Sequence, residues 1–124
     1  MAHSEQYERG LRHLRQAFPD IEERLSDVIP HGELGRRTVE WIYADLHGRP
    51  QLGFRDRELV TITVLTTLGG CEDLLADHVE LGRKAGLSAE EILEAILQCA
   101  AYAGIPRAIQ ASRRAVRTLH DQGA

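Results

Sequence analysis

The sequence predicts an all-α fold, a helical bundle of about six to seven helices in a single domain spanning residues 1–124. Two observations support this class: apolar residues recur every three or four positions in successive segments, and proline or glycine separates the segments. The Ser88-Ala89-Glu90-Glu91 capping box adds a helix-start signal. A length of 124 residues suits one domain, and 43% hydrophobic with 27% charged residues is a globular composition.

Three helical segments are predicted before residue 50. The first follows a possible cap at Ser4, ends at Pro19, and has one apolar face: Tyr7, Leu11, Leu14 and Phe18. A short second helix carries Ile21, Leu25 and Val28. Pro30, Gly32 and Gly35 indicate a loose connection. A third amphipathic stretch then carries Val39, Ile42, Tyr43 and Leu46.

Residues 60–64, Val-Thr-Ile-Thr-Val, alternate in the way that is typical of a strand. The wider window also fits a buried helix that carries Leu59, Ile62, Leu65 and Leu68. A single strand without a partner strand would be unstable, and no second good strand is found in the sequence. We therefore predict a helix over residues 59–68.

Three further helices are predicted after Gly69-Gly70. The first runs from about Glu72 to Lys84, with one stripe formed by Leu74, His78 and Leu81. The second follows the capping box, and its inward face is predicted to carry Ile92, Ile96 and either Cys99 or Ala100. Gly104-Ile105-Pro106 separates it from the last, which carries Ala108, Ala111, Ala115 and Leu119. The small residues on both sides of this break fit a packed core and a subunit contact equally well.

Charge and composition exclude several classes of function. A net charge of −4 and a pI of about 5.8 make binding to nucleic-acid phosphates a poor hypothesis. We expect no signal peptide, no membrane segment and a cytoplasmic location, where the cysteines Cys71 and Cys99 would stay reduced. No two histidines lie three to five residues apart and no phosphate-binding glycine loop occurs, so no metal site is predicted.

The segment from Cys71 to His78 is the richest in chemistry. The two residues are seven positions apart, nearly two helical turns, so both side chains would share one helix face. A thiol and an imidazole there could form a nucleophile–base pair. The structural alternative is a small residue at a helix start and a core histidine, and spacing alone favours that alternative.

Three other residues are candidates with structural alternatives of their own. Glu58 begins an apolar segment, where the helix dipole favours a carboxylate, but an inward Glu58 could orient an imidazole or act as an acid or base. Tyr102 and Arg107 flank the Gly-Ile-Pro break and could hold an anionic substrate. A packed aromatic ring and a solvated arginine are the alternative.

Several segments together are similar to one known family. They are residues 41–52 (Trp-Ile-Tyr-Ala-Asp-Leu-His-Gly-Arg-Pro-Gln-Leu), residues 57–68 with Glu58, residues 69–78 (Gly-Gly-Cys-Glu-Asp-Leu-Leu-Ala-Asp-His), residues 85–88 and residues 102–107 (Tyr-Ala-Gly-Ile-Pro-Arg). In this order and spacing they resemble the carboxymuconolactone decarboxylase family, which shares its fold with the alkylhydroperoxidase D (AhpD-like) proteins. The resemblance covers nearly the whole chain.

The resemblance implies an all-helical fold, assembly into homotrimers or homohexamers, and active sites near subunit contacts. It also implies a lyase that removes CO2 from a small carboxylated lactone without a cofactor, with His78 transferring the proton. Such an enzyme binds a small-molecule substrate and involves neither nucleic acid nor membrane. His47, Tyr102 and Arg107 are then candidates for lining the pocket.

The redox members of the wider group imply a second activity. They carry a glutamate, a Cys-x-x-Cys pair and a histidine, and Cys71 and His78 match the first cysteine and the histidine. Glu58 matches the glutamate with one extra residue between it and Cys71. Leu74 replaces the second cysteine, so the two-cysteine peroxide cycle of a peroxiredoxin-type enzyme lacks its local partner. His47 stands where the decarboxylases usually carry tryptophan.

Three hypotheses follow, in this order. The first is a cofactor-free decarboxylase that uses His78 and Glu58. The second is a thiol peroxidase or disulfide reductase that uses Cys71. The third is a non-catalytic, oligomeric ligand-binding protein that keeps the fold alone.

Overall fold

The computed structural model describes residues 3–124 and confirms the all-α prediction, with seven α-helices and no strand in that part of the chain. Backbone contacts divide the chain into two compact units, Met1–Gly53 and Phe54–Ala124. The single domain over residues 1–124 stays a prediction. None of the described helices is long and apolar enough to cross a membrane.

The first unit contains α1 (Glu5–Ala17), α2 (Ile21–Val28) and α3 (Gly32–Arg37), and α3 continues into a π-helical segment, Thr38–Leu46. The predicted cap is confirmed, since the Ser4 hydroxyl accepts a hydrogen bond from the Tyr7 backbone at 3.0 Å. The predicted face of α1 is also confirmed, and it is buried together with Val39 and Tyr43 of the π-helical segment.

The loose connection predicted over Pro30, Gly32 and Gly35 is confirmed at Pro30 and wrong at the two glycines, which belong to α3. Gly35 is needed there for close packing and not for a break. A methyl group at Gly35 would lie 1.7 Å from the carbonyl oxygen of Pro30. The following segment, Thr38–Leu46, is a π-helix and not the predicted α-helix. Its last hydrogen bond is donated by the His47 N–H to the carbonyl of Ile42, five residues earlier, at 2.9 Å.

The second unit contains α4 (Phe54–Leu68), α5 (Glu72–Lys84), α6 (Ala89–Ala103) and α7 (Ile105–Asp121). Helix α4 confirms the prediction for residues 59–68. The hydroxyls of Thr61, Thr63 and Thr66 each donate to a backbone carbonyl three or four residues earlier. Threonine in a helix can satisfy its hydroxyl in this way, so the alternation that is typical of a strand is compatible with α4.

The core of the second unit combines side chains from all four helices. The inward faces predicted for α6 and α7 are confirmed, with Cys99 buried at 8% exposure and Ala100 half-buried against the core. Ala108, Ala111 and Ala115 belong to this core, whereas Ala101 is exposed.

The stripe predicted for α5 is partly wrong. Leu74 is 50% exposed, and the core side of α5 is formed instead by Leu75, Ala76 and Val79. Helix α5 packs on both α4 and α7, and this double contact centres its buried face one residue later than the sequence pattern indicates. Leu81 is buried as expected.

The predicted capping box at the start of α6 is confirmed. The Ser88 hydroxyl accepts from the Glu91 backbone N–H at 3.0 Å, and the Glu91 carboxylate accepts from the Ser88 N–H at 2.9 Å. The Ser88 N–H, together with the Ser88 and Arg55 side chains, lowers the pKa of the Glu91 carboxyl. Both backbone donors that begin α6 are therefore satisfied locally.

We expect Ser88→Ala to lower the free energy of unfolding by about 1 kcal/mol, because the Glu91 N–H loses its acceptor. Urea denaturation followed by circular dichroism measures this change. Ser26→Ala is the matched control, since the exposed Ser26 hydroxyl makes no hydrogen bond within residues 3–124. An equal loss in both variants would contradict the capping role.

Candidate active site

Glu58 and His78, which lie 20 positions apart in sequence, meet between α4 and α5. The Nδ1 atom of His78 lies 2.7 Å from the Oε1 atom of Glu58. The Glu58 side chain has no exposed surface, and the His78 side chain is 16% exposed. The structure therefore brings together the two residues that the sequence put first for proton chemistry.

The burial of Glu58 determines what the pair can do. A carboxylate taken out of water is costly unless it is hydrogen-bonded, and His78 provides such a bond. When the carboxylate is the acceptor, the ring proton is on Nδ1 and the second nitrogen, Nε2, is left for another partner. Nε2 can then accept or donate a proton at a substrate, while Glu58 holds the ring in place.

Buried apolar side chains lie on both sides of His78 along α5. Leu75, Val79 and Leu81 of the same helix are all buried. A helical side chain leans back over the preceding turn, which places the imidazole beside Leu74, an exposed leucine one turn earlier. A substrate that reaches Nε2 would therefore meet an apolar rim.

Cys71 is separated from this pair. It is the non-helical N-cap residue of α5, and its thiol donates to the Leu65 carbonyl at 3.4 Å. It lines a narrow crevice whose other lining residues are Leu65, Thr66, Gly69, Glu72, Leu75, Arg107 and Ala111. Helix α5 rises about 9 Å between its first residue and His78. The structure thus gives Cys71 and His78 different surroundings.

Arg107 enters the same crevice through a gap that Gly69 leaves. Gly69 has a φ of +67°, and a methyl group there would lie 1.9 Å from the Arg107 Nη1 atom. Within residues 3–124, Arg107 makes no ion pair. Its guanidinium is therefore available to an anion near the start of α5.

Cys99 lies on the far side of α4 from Cys71. The Cys99 thiol lies 3.7 Å from the Thr63 carbonyl, whereas the Cys71 thiol bonds to the Leu65 carbonyl. The carbonyl oxygens of residues two apart in an α-helix lie about 200° apart around its axis, so these two oxygens are on nearly opposite sides of α4. The backbone of α4 therefore separates the two thiols within one chain.

Within the second unit, Tyr102 does not join the Glu58–His78 pair, and His47 belongs to the first unit. Tyr102 is 88% exposed near the end of α6. His47 follows the π-helical segment of the first unit, where its ring stacks on Tyr43 with 5.2 Å between ring centroids. Among residues 3–124, no group of three or more His, Cys, Asp and Glu side chains could hold a metal ion.

A buried carboxylate in the first unit was missed by the sequence reasoning. Glu40 is 8% exposed and accepts hydrogen bonds from Ser4 and Arg36, each at 2.5 Å. Burial of the Tyr7 phenol, and then the charges of Glu8 and Glu40, raise the pKa of Tyr7. The four-residue spacing of Arg36 and Glu40 was the available signal, since it is typical of a helical ion pair.

The comparisons with known proteins cover the part of the chain that contains His78 and Glu58. The sequence profile of the carboxymuconolactone decarboxylase family matches residues 27–117, which include both. The chain is 37% identical over 81 residues to a 4-carboxymuconolactone decarboxylase of Acinetobacter baylyi, a match that covers 65% of this chain and 60% of that protein. It is 28% identical over 102 residues to a nitrosuccinic acid decarboxylase of Metarhizium robertsii, covering 82% of this chain and 71% of that protein.

The profile covers most of the chain, and both of these relatives are named as decarboxylases. The chain belongs to the carboxymuconolactone decarboxylase family.

Proposed function

We propose that the protein is a cofactor-free carboxy-lyase that removes CO2 from a small carboxylated lactone or a related acid. The observation that carries this proposal is the 2.7 Å contact between His78 Nδ1 and the fully buried Glu58 carboxylate. That contact provides an oriented imidazole at the edge of an apolar environment. Proton transfer to carbon requires such a group and no metal.

The reaction begins with cleavage of the bond between carbon and the departing carboxylate. The electron pair of that bond stays on the substrate and moves into the adjacent unsaturated lactone, giving a dienolate-like anion, while CO2 leaves. An apolar rim favours this step, because a carboxylate loses hydration there whereas neutral CO2 does not need it.

The anion is then protonated at carbon. His78 first takes up a proton from solvent at Nε2, and Glu58 stabilises the resulting imidazolium by accepting a hydrogen bond from the Nδ1 proton, which stays on the ring. The imidazolium then donates its Nε2 proton to the carbanion and returns to the neutral form. The net change is one carboxylate and one proton converted into CO2 and a carbon–hydrogen bond.

The names of the two relatives support an activated acid as the substrate class. The name of the first relative contains a lactone and that of the second a nitro group. Both groups accept electrons, so loss of CO2 beside either one gives a delocalised anion. The chain spans 60% of the length of the first relative and shows low identity to both, so the choice between such acids is open to experiment.

We further propose that Arg107 binds an anionic group of the substrate. Its guanidinium has no ion pair within residues 3–124 and lies near the start of the helix that carries His78. Arginine pairs well with carboxylates through two parallel hydrogen bonds. Tyr102 and His47 remain proposed substrate contacts on the basis of the family resemblance.

Thiol redox chemistry is the second candidate, and the place of Cys71 favours it. Reactive cysteines often lie at helix N-termini or beside arginine, and Cys71 caps α5 in a crevice shared with Arg107. Leu74 at the second cysteine position and α4 between Cys71 and Cys99 both remove a resolving partner within the chain. We therefore place this activity second.

We expect His78→Ala to lower the rate of CO2 release from the accepted substrate by at least about 100-fold, because the anion loses its proton donor. Purified protein is incubated with 4-carboxymuconolactone and with nitrosuccinic acid, and CO2 is measured directly. Circular dichroism checks that the helical content is unchanged.

His120→Ala is the matched control for this experiment, since His120 is an exposed imidazole at the end of α7 and should leave the rate unchanged. Retained turnover in His78→Ala would contradict the assignment. A wild-type protein that is inert toward acids and peroxides but is stabilised by a small molecule would indicate a ligand-binding protein instead.

Cys71→Ser separates the two candidate chemistries. For a decarboxylase, we expect CO2 release to be retained, because the proposed proton transfer from His78 uses no thiol and serine is close to cysteine in size. For a thiol peroxidase, the same substitution would abolish peroxide consumption. Parallel assays of both activities on wild type and variant measure this, and loss of CO2 release in Cys71→Ser would contradict the proposed mechanism.

A further inference from the structure

A cleft of about 640 Å³ lies among α1, α2 and α3 of the first unit. Its floor is apolar, since Tyr7 and Ile29 are buried and Leu25 is half-buried. Concave surfaces of this size, with an apolar floor and a few polar groups, are where proteins bind small molecules. The side chains of the rim indicate which class of molecule this cleft accepts.

The three charged side chains of the rim are already paired within the chain. Glu22 accepts a hydrogen bond from Arg15, and Glu33 accepts one from Arg36 Nε at 2.8 Å. Arg36 also donates to Glu40 at 2.5 Å. Hydrogen bonds from Arg15 and Arg36 lower the pKa of the Glu22 and Glu33 carboxyls, so both pairs persist near neutral pH. A charged ligand would therefore gain no unpaired counter-charge in this cleft.

The neutral polar groups of the cleft are not engaged in this way. Within residues 3–124, the Tyr7 hydroxyl and the side chains of Ser26 and His31 make no hydrogen bond. Burial, and then the charges of Glu8 and Glu40, raise the pKa of Tyr7, so its phenol keeps its proton near neutral pH. A phenol that is mostly buried ordinarily has a hydrogen-bond partner. The cleft thus offers an uncharged donor and acceptor above an apolar floor.

One wall of the cleft is aromatic. The imidazole of His3 stacks on the Tyr7 ring, with 4.0 Å between the ring centroids and 21° between the ring planes. Both residues line the cleft. Aromatic rings pack favourably against other aromatic rings in stacked or edge-to-face arrangements. A flat ligand ring therefore matches this wall.

The cleft is largely outside the part of the chain that the family profile matches. That match begins at residue 27. Five of the lining residues precede it: His3, Tyr7, Glu22, Leu25 and Ser26. The cleft is therefore a feature of this chain that the family match does not describe.

We propose that this cleft binds a small, neutral, planar aromatic compound that carries a hydroxyl group, that is, a phenol. Its ring packs on Leu25 and Ile29 beside the aromatic wall, and its hydroxyl pairs with the Tyr7 hydroxyl. An aromatic acid fits less well, because its carboxylate would lose hydration and find the Arg36 guanidinium already engaged. The cleft belongs to the first unit and His78 to the second, so this proposal does not rest on the proposed decarboxylation.

The probe for this cleft is 4-cresol, a methylphenol that is neutral at pH 7. Titration followed by two-dimensional nitrogen-15 NMR should give saturable shifts of backbone signals around the floor residues Tyr7, Leu25 and Ile29. The dissociation constant of 4-methylbenzoate, which has the same ring and methyl group but a negative charge, should be at least about tenfold higher. Binding of 4-cresol should be unchanged in His78→Ala.

Tyr7→Phe tests the hydrogen bond. This substitution removes the hydroxyl and keeps the ring that packs in the core and against His3. We expect it to raise the dissociation constant of 4-cresol about fivefold, because one hydrogen bond is lost. Toluene, which has no hydroxyl, should bind wild type and variant equally. A merely structural role of Tyr7 would instead weaken both ligands to the same extent.

Ser26→Trp tests the location. Ser26 is an exposed residue of α2 that lines the cleft, and an indole ring at this position fills space that the ligand needs. We expect binding of both 4-cresol and toluene to be lost. Asp27→Trp is the matched control, because Asp27 is the next residue of α2, is exposed and does not line the cleft. Thermal denaturation checks that both variants remain folded.

Several results would overturn the proposal. One is 4-cresol that gives no saturable shifts up to its solubility limit, and another is 4-methylbenzoate that binds as tightly as 4-cresol. Shifts that centre on the neighbours of His78 and vanish in His78→Ala would place the phenol in the candidate active site instead. Equal loss of binding in Asp27→Trp and Ser26→Trp would show that the effect of the indole does not depend on this cleft.

Discussion

The hydrogen bond between His78 and the buried Glu58 is the contact on which the rest of the second unit depends. A carboxylate with no exposed surface is stable only where the surrounding helices supply polar partners, so α4 and α5 must pack in a register that keeps Nδ1 within 2.7 Å of Oε1. Ile62, one turn beyond Glu58, belongs to the same core as Leu75 and Val79, the neighbours of His78. The core thus fixes the pair, and the pair limits how the core can pack.

This constraint also explains how one side of α5 supports two kinds of chemistry at two places. Near its middle, the helix presents an imidazole with one nitrogen held and the other available. At its N-terminus, Cys71 and Arg107 share a crevice that Gly69 leaves open. Because neither a resolving thiol nor a shared environment links Cys71 to His78, proton transfer to a carbanion is the activity that the arrangement supports best.

The sequence predicted most of the fold because its signals were local. The helix ends at Ser4, Ser88 and Gly104 depend only on nearby residues: the two serine hydroxyls cap a helix start, and the glycine backbone can adopt the conformation that ends one. The errors arise where contacts between helices determine the helix boundary or the buried face. The sequence pattern indicates a break at Gly35, but this glycine allows a close approach to Pro30 within the fold. The pattern also indicates an inward Leu74, but contacts on two sides of α5 bury Leu75 instead.

In the candidate site, too, the residue identities were predictable from the sequence and the contacts between helices were not. The identities of Glu58 and His78 came from motif resemblance, but their pairing across two helices is a long-range contact that no periodicity encodes. The separation of Cys71 from Cys99 likewise depends on α4 lying between the two thiols. Glu40 was missed because a charged residue in an amphipathic stretch is ordinarily solvated, and only the folded first unit shows its burial.

The protonation of the two His78 nitrogens tests the central claim most directly. Nitrogen-15 NMR of the resting protein, recorded where the ring is neutral, distinguishes a protonated from an unprotonated ring nitrogen. The account predicts a proton on Nδ1 and none on Nε2, and a loss of this preference in Glu58→Gln, whose amide can donate to the ring. A wild-type ring protonated on Nε2 would show that Glu58 is the donor, and it would contradict a carboxylate that holds His78 ready for proton transfer.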